Sequence, residues 1–174
     1  LASDLTLENI RPRLDELARQ MQRAIPSGTG RGGRIKLSES EMDDVLRQGA
    51  AWCVKRGMGS ESDLEHLEER GTYAGADPNL VSPHAKKRGR DQLGTLGSGN
   101  HFLEVQVVDR VDDVRAATAM GLIEGNVTVM IHSGSRGLGY QVCEDHLRLL
   151  RDTPKKYGID LPDQQLVCAP VDSP

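Results

Sequence analysis

The chain has 174 residues, enough for one domain with a sizeable core. It is 37% hydrophobic with a formal net charge of −4, which excludes a globally basic nucleic-acid binder and leaves any such contact to a local patch. No apolar run approaches the ~20 residues that cross a bilayer, and no signal peptide is visible.

Three widely spaced cysteines, Cys53, Cys143 and Cys168, form no Cys-x-x-Cys pair. They predict packed thiols in a reducing cytoplasm rather than a disulfide framework. The opening Leu1-Ala-Ser-Asp and the Pro-rich stretch from Ala169 to Pro174 lead to the expectation that the chain is an internal piece of a longer protein.

In chain order, residues 9–25 predict an amphipathic helix, with Leu14, Leu17, Met21 and Ile25 on one stripe and Pro12 in the first turn. The loop Pro26-Ser-Gly-Thr-Gly-Arg-Gly-Gly33 follows, a mobile linker or a phosphate cradle beside Arg31 and Arg34. Ser38-x-x-Glu41 is a capping box that predicts a helix burying Met42, Val45, Leu46, Gly49 and Cys53, with Trp52 near its end. Ser62-x-x-Glu65 repeats the signal for a short helix ending before Gly71. Ser82-Pro83 supplies the cap and first residue of another, closed by Gly89. That helix ends in Lys86, Lys87 and Arg88, with Arg90 beyond: cations complementing the helix dipole, or a phosphate patch.

Residues 103–108 alternate and predict a strand. Asp112 or Asp113 caps a helix ending at Gly121, and residues 127–131 read as a buried strand. After a loop over 133–139, Val142, Cys143, Leu147 and Leu150 mark a last helix. His66, His84 and His146 fall on predicted helices and read as surface residues. Helices and strands interleave, so the predicted class is mixed α/β (α+β).

Two blocks carry the chemistry. In Gly97-Ser-Gly-Asn-His-Phe-Leu-Glu-Val-Gln106, a glycine turn runs into a strand. Strand alternation puts Asn100, Phe102 and Glu104 on one face and His101, Leu103 and Val105 on the other. Asn100 can donate to a phosphate oxygen, Phe102 can pack on a base or ribose, and Glu104 can accept from a guanine amino group. In Ile131-His-Ser-Gly-Ser-Arg-Gly-Leu-Gly139, a strand ends in His132 and a glycine loop enters a helix. Backbone amides there face an anion, and Arg136 can clamp phosphate. His101 and His132 each sit at a strand–loop junction. Either both bond backbone, or both ligate a metal; neutral imidazole suits manganese, iron, zinc and copper alike, and two histidines alone do not complete a site. No Walker A lysine and no Ser-His-Asp order is present.

The string Gln92-Leu-Gly-Thr-Leu-Gly-Ser-Gly-Asn-His-Phe-Leu-Glu-Val-Gln106 closely resembles the signature of the RtcB family of RNA-splicing ligases. Ile131 to Gly139, continued by Gln141-Val142, resembles that family's second histidine motif. Ile25-Pro-Ser-Gly-Thr-Gly, Gly75-Ala-Asp-Pro and Ala85-Lys-Lys-Arg-Gly89 follow family order. The resemblance implies that residues 1–174 are the central portion of a single RtcB-like domain, its N- and C-terminal parts missing. It implies a GTP- and manganese-dependent ligase that joins an RNA 3′-phosphate or 2′,3′-cyclic phosphate to a 5′-hydroxyl through a histidine–guanylate, in tRNA splicing or RNA repair.

By the same resemblance, His101 and His132 match metal ligands of a two-metal site and Asn100 to Glu104 match a guanylate-contacting segment that includes Leu103. Arg136 matches an arginine on the RNA or phosphate path. RNA ends and GTP are the implied partners, with an accessory activating protein and no membrane. The family's Asp-x-x-Cys motif, a further histidine ligand and the histidine that takes the guanylate have no counterpart among the 174 residues, so the isolated piece is expected to be inactive. Without the resemblance, the same residues admit a non-catalytic nucleotide- or RNA-binding module or a metal-dependent phosphodiesterase.

Overall fold

The computed structural model describes residues 1–28, 32–163 and 166–173. The elements run β1 (Ala2–Thr6), α1 (Leu7–Ile10), α2 (Leu14–Ala24), α3 (Glu39–Gln48), α4 (Ala50–Val54), α5 (Glu61–Leu64) and α6 (Pro83–Gly89). Then come β2 (Phe102–Val107), α7 (Val114–Ala119), β3 (Asn126–His132), α8 (Arg136–Leu149) and α9 (Thr153–Lys156). The class is mixed α/β, as the interleaving predicts. The chain divides into two compact units, Leu1–Ile35 with Gln92–Gly134, and Lys36–Asp91 with Ser135–Pro174.

The first unit is built on an antiparallel sheet in the order β1-β3-β2. Its best-ordered ladder is β2 on β3, in register from Phe102 opposite His132 to Val107 opposite Val127. Opposed residues share a face. Phe102, Glu104 and Gln106 therefore lie with His132, Met130 and Thr128, and Leu103, Val105 and Val107 lie with Ile131, Val129 and Val127. The run 127–131 was expected to be buried throughout. Val127 is buried, but Met130 and Ile131 are 48% and 55% exposed, so the strand's second half is open on both faces.

Strand β1 has no counterpart in the predicted elements, because Ala2-Ser-Asp-Leu-Thr6 shows no alternation. Side chains register it: Ser3 Oγ donates to the Val127 carbonyl at 2.6 Å and Asn126 Nδ2 donates to the Ser3 carbonyl at 3.1 Å. The predicted helix over 9–25 is divided by a 3₁₀ turn, Arg11–Arg13, around Pro12, whose ring nitrogen has no hydrogen to donate. Arg34 donates to the Arg23 carbonyl at 3.2 Å, near the end of α2. Of the loop over 26–33, expected as a linker or a phosphate cradle, residues 29–31 with Arg31 lie outside the described residues.

In the second unit, the Ser38 capping box forms as read: Glu41 N donates to Ser38 Oγ at 3.2 Å and Ser38 N to Glu41 Oε2 at 3.0 Å. The helix that follows does not continue to Cys53. It breaks at Gly49, φ 57°, where a Cβ would lie 2.1 Å from the Gly71 carbonyl oxygen. A close approach from distant backbone, not a core side chain, accounts for this glycine. Trp52 is 2% exposed, with the Arg56 guanidinium 3.7 Å from its ring centre.

The next cap is Ser60 with Asp63, not Ser62 with Glu65, since α5 begins two residues earlier. His66 consequently lies in the turn after α5; it, His84 and His146 are exposed, as expected. Ser82 caps α6, accepting from Ala85 N at 3.1 Å. Gly89 is the last residue of α6 and not a left-handed terminator: it is buried against α8, where an added Cβ would lie 2.8 Å from the Leu138 Cβ. Helix α8 starts at Arg136, inside the stretch expected to be loop, and its Cys143 is exposed, not packed. In the first unit, Asp113 is the cap of α7, accepting from Arg115 N and Ala116 N.

Among the described residues no helix is long and apolar enough to cross a membrane.

Candidate metal and nucleotide site

The site begins with a turn. Gly97 (φ 110°) and Gly99 (φ 74°) adopt backbone angles that disfavour side chains, and they fold 97–100 back before β2 starts at Phe102. Asn100 and His101 therefore precede the strand, and strict alternation does not govern them. Asn100 is exposed on the turn. His101 was expected on the face opposite Phe102. Instead its ring lies 6.1 Å, centre to centre, from that of His132, which shares the Phe102 face.

Phe102 meets His132 edge-on, ring centres 5.2 Å apart at 63°. The predicted separation of a nucleotide-facing set from a metal-facing histidine gives way to one cluster of His101, Phe102 and His132. The aromatic edge holds the His132 ring, a contact worth about 0.5–1.5 kcal/mol in typical pairs.

The His101 ring is seated in a gap that only glycine leaves. A Cβ on Gly97 would fall 2.0 Å from His101 Nδ1, and one on Gly134 would fall 3.9 Å from Nε2. His101 Nδ1 is buried without a hydrogen-bond partner. A buried polar nitrogen left unbonded costs about 1–3 kcal/mol, so its retention needs a reason. Of the two readings of these histidines, a bond to backbone is absent for that nitrogen.

Two imidazoles within one ion's reach, with an unpaired ring nitrogen, fit a divalent transition metal that accepts nitrogen ligands. They supply at most two donors; among the described residues no group of three His, Cys, Asp or Glu side chains could complete a shell.

Glu104 projects from the Phe102 face, exposed, and accepts from Gln106 Nε2 at 2.9 Å. Gln106, given no role by sequence reading, thus restrains the carboxylate. Its signal was the spacing of two in a strand, which places both on one face. Leu103, opposite Ile131, lies on the other face from Phe102 and Glu104.

Arg136 belongs to the second unit, where it is the first residue of α8 with φ 51°. Two cations of the basic cluster in the same unit, Lys86 and Arg88, bond within the protein. Lys86 Nζ pairs with Asp43 Oδ1 at 2.7 Å. Arg88 donates to Gln141 Oε1 at 2.9 Å and lies over the Tyr140 ring at 4.9 Å. Gln141 is buried and donates to Asp145, which also accepts from Ser82 Oγ. The Ser82 hydroxyl, and then Gln141, hold the Asp145 carboxyl below its usual range.

The family model described as "tRNA-splicing ligase RtcB" matches residues 1–174. The chain belongs to the RtcB family. It is similar to the protein described as "tRNA-splicing ligase RtcB" from Archaeoglobus fulgidus, 54% identical over 99% of this chain and 36% of that protein. Proteins of the same description from Aeropyrum pernix and Pyrococcus horikoshii are 52% and 53% identical, over 100% and 99% of this chain and 36% and 20% of theirs. The chain thus spans 36% or less of the length of these curated relatives. Its three-stranded sheet and flanking helices are consistent with part of an RtcB-like fold.

Proposed function

We propose that residues 1–174 are the central portion of a cytoplasmic RtcB ligase. It joins RNA 3′-phosphate or 2′,3′-cyclic phosphate ends to 5′-hydroxyl ends, in tRNA splicing or RNA repair. The reaction uses GTP and Mn²⁺, with the guanylate carried on a histidine outside these residues. The observation that carries this reading is the convergence of His101 and His132, one from each glycine-flanked motif, with a buried unbonded nitrogen between ring and turn. His101 and His132 would hold Mn²⁺, with further ligands from elsewhere in the protein. The ion, when bound, supplies positive charge to phosphate oxygens.

The chain's own residues do the rest. Asn100, exposed on the turn, donates to phosphate. Phe102 offers its ring to the nucleotide and fixes His132. Glu104, steadied by Gln106, accepts from the guanine edge. Leu103 enters only through its backbone. Arg136, at the start of a 14-residue helix, contacts RNA or nucleotide phosphate.

The test uses the full-length ligase containing this segment. His101→Ala and His132→Ala should each cut guanylylation by GTP and joining of 3′-phosphate RNA at least 100-fold, about 3 kcal/mol or more of lost stabilisation. Retained activity in either variant removes that histidine from the metal shell. Purified residues 1–174 should not ligate.

A further inference from the structure

Strand β3 ends at His132 and passes directly to Ser133, whose hydroxyl donates to the Leu96 carbonyl at 2.7 Å. That carbonyl belongs to the peptide entering Gly97, the residue whose missing Cβ admits the His101 ring. The same short segment is gripped from its other side. Leu96 N donates to the Pro26 carbonyl at 2.9 Å, and Gly28 N donates to the Gly97 carbonyl at 2.7 Å. Main-chain bonds thus hold 96–97 to 26–28, while a side chain holds it to the end of β3. The Ser133 bond closes a ring of structure running from His132 through Ser133, Leu96 and Gly97 to His101.

We propose that Ser133 is a positioning residue whose hydroxyl sets the spacing of the His101 and His132 imidazoles for a divalent cation. The proposal rests on the reading of those histidines as metal ligands. Ligands held at their bound separation surrender less freedom when the ion arrives, and groups behind metal ligands commonly carry 10–100-fold in affinity. Ser133 is exposed, so water competes for its bond and the effect belongs near the lower end, about ten-fold. The exposure also leaves room for a larger side chain, which makes an isosteric comparison practicable.

The experiment is calorimetric titration of the full-length ligase with Mn²⁺ alone, without GTP or RNA, beside a thermal melt of each variant. Ser133→Ala should bind Mn²⁺ about ten-fold more weakly. Ser133→Thr should bind as wild type, and Ser133→Val, the same shape without the hydroxyl, should match Ser133→Ala. The Thr/Val pair keeps the comparison decisive even where the alanine variant folds poorly. His132→Ala is run alongside. If it leaves Mn²⁺ affinity unchanged, the metal reading fails and the Ser133 role with it. If it abolishes binding while Ser133→Ala and Ser133→Val bind like wild type, the metal reading stands and the Ser133 role is overturned.

Discussion

Replacing Gly97 by alanine isolates the seat of the His101 ring, because Gly99 supplies a matched control. Both glycines have positive φ, 110° and 74°. Alanine at either one pays a backbone penalty of about 1–3 kcal/mol. The surroundings differ. At Gly99 no atom lies within 4 Å of an added Cβ, whereas at Gly97 the Cβ would fall 2.0 Å from His101 Nδ1. Real Cβ atoms essentially never come closer than 3.0 Å to another heavy atom, so the ring or the turn has to retreat by about 1 Å. Disturbing what orients a metal ligand costs about 10–100-fold in metal affinity.

Gly97→Ala should therefore lose more stability than Gly99→Ala in urea denaturation, because only at Gly97 does the added Cβ also displace a ring. Mn²⁺ affinity, read by titration of the full-length ligase, should fall about 10–100-fold in Gly97→Ala and less than about three-fold in Gly99→Ala. Equal Mn²⁺ affinities in the two variants would refute the placement of His101 as a ligand seated on Gly97.

Other outcomes follow from the same geometry. Gly49→Ala combines positive φ with a Cβ 2.1 Å from the backbone oxygen of Gly71, which cannot rotate away; about 3 kcal/mol or more should be lost, checked by urea denaturation. Glu104→Gln removes the charged acceptor proposed for the guanine edge and should weaken GTP binding about 10–100-fold while narrowing its preference over ATP, measured by competition titration.

Acid sensitivity has a stated sign. The Ser38 backbone N–H, then the Ser38 hydroxyl, hold Glu41 below the usual carboxylate range, and Ser82 with Gln141 does the same for Asp145. A depressed folded pKa gives stabilisation that is complete above the ordinary carboxylate pKa and disappears as pH falls through the lowered value. Denaturation midpoints should therefore stay flat from neutrality to about pH 5 and drop below about pH 4, with Glu41→Gln showing a smaller drop than the parent.

What could be read from the sequence follows the range of the interactions involved. Caps are local, so Ser38 and Ser82 were legible and Asp113 was one of two candidates: each donor and acceptor lies within three residues of the other. The Ser60 and Ser62 signals overlap, and local spacing alone does not choose between them. Gly49 and Gly89 looked like a core position and a terminator because their true constraints, the Gly71 carbonyl and Leu138, come from residues far along the chain. An apolar run says that a strand can be buried, not that it is buried along its whole length; Met130 and Ile131 show the difference.

At the site, both histidines were visible from their glycine-flanked motifs. Their convergence was not, because it depends on a turn that releases His101 from strand alternation and on the register that sets Phe102 opposite His132. Ser133 bonding to Leu96 spans 37 positions and left no local trace.

Whether His101 and His132 share a metal shell is decided by a crystal of the full-length protein grown with Mn²⁺, with data collected at the manganese absorption edge. An anomalous peak should bond one ring nitrogen of His101 and one of His132, each at about 2.0–2.3 Å. A peak bound elsewhere, with both imidazoles hydrogen-bonded to backbone, would contradict it.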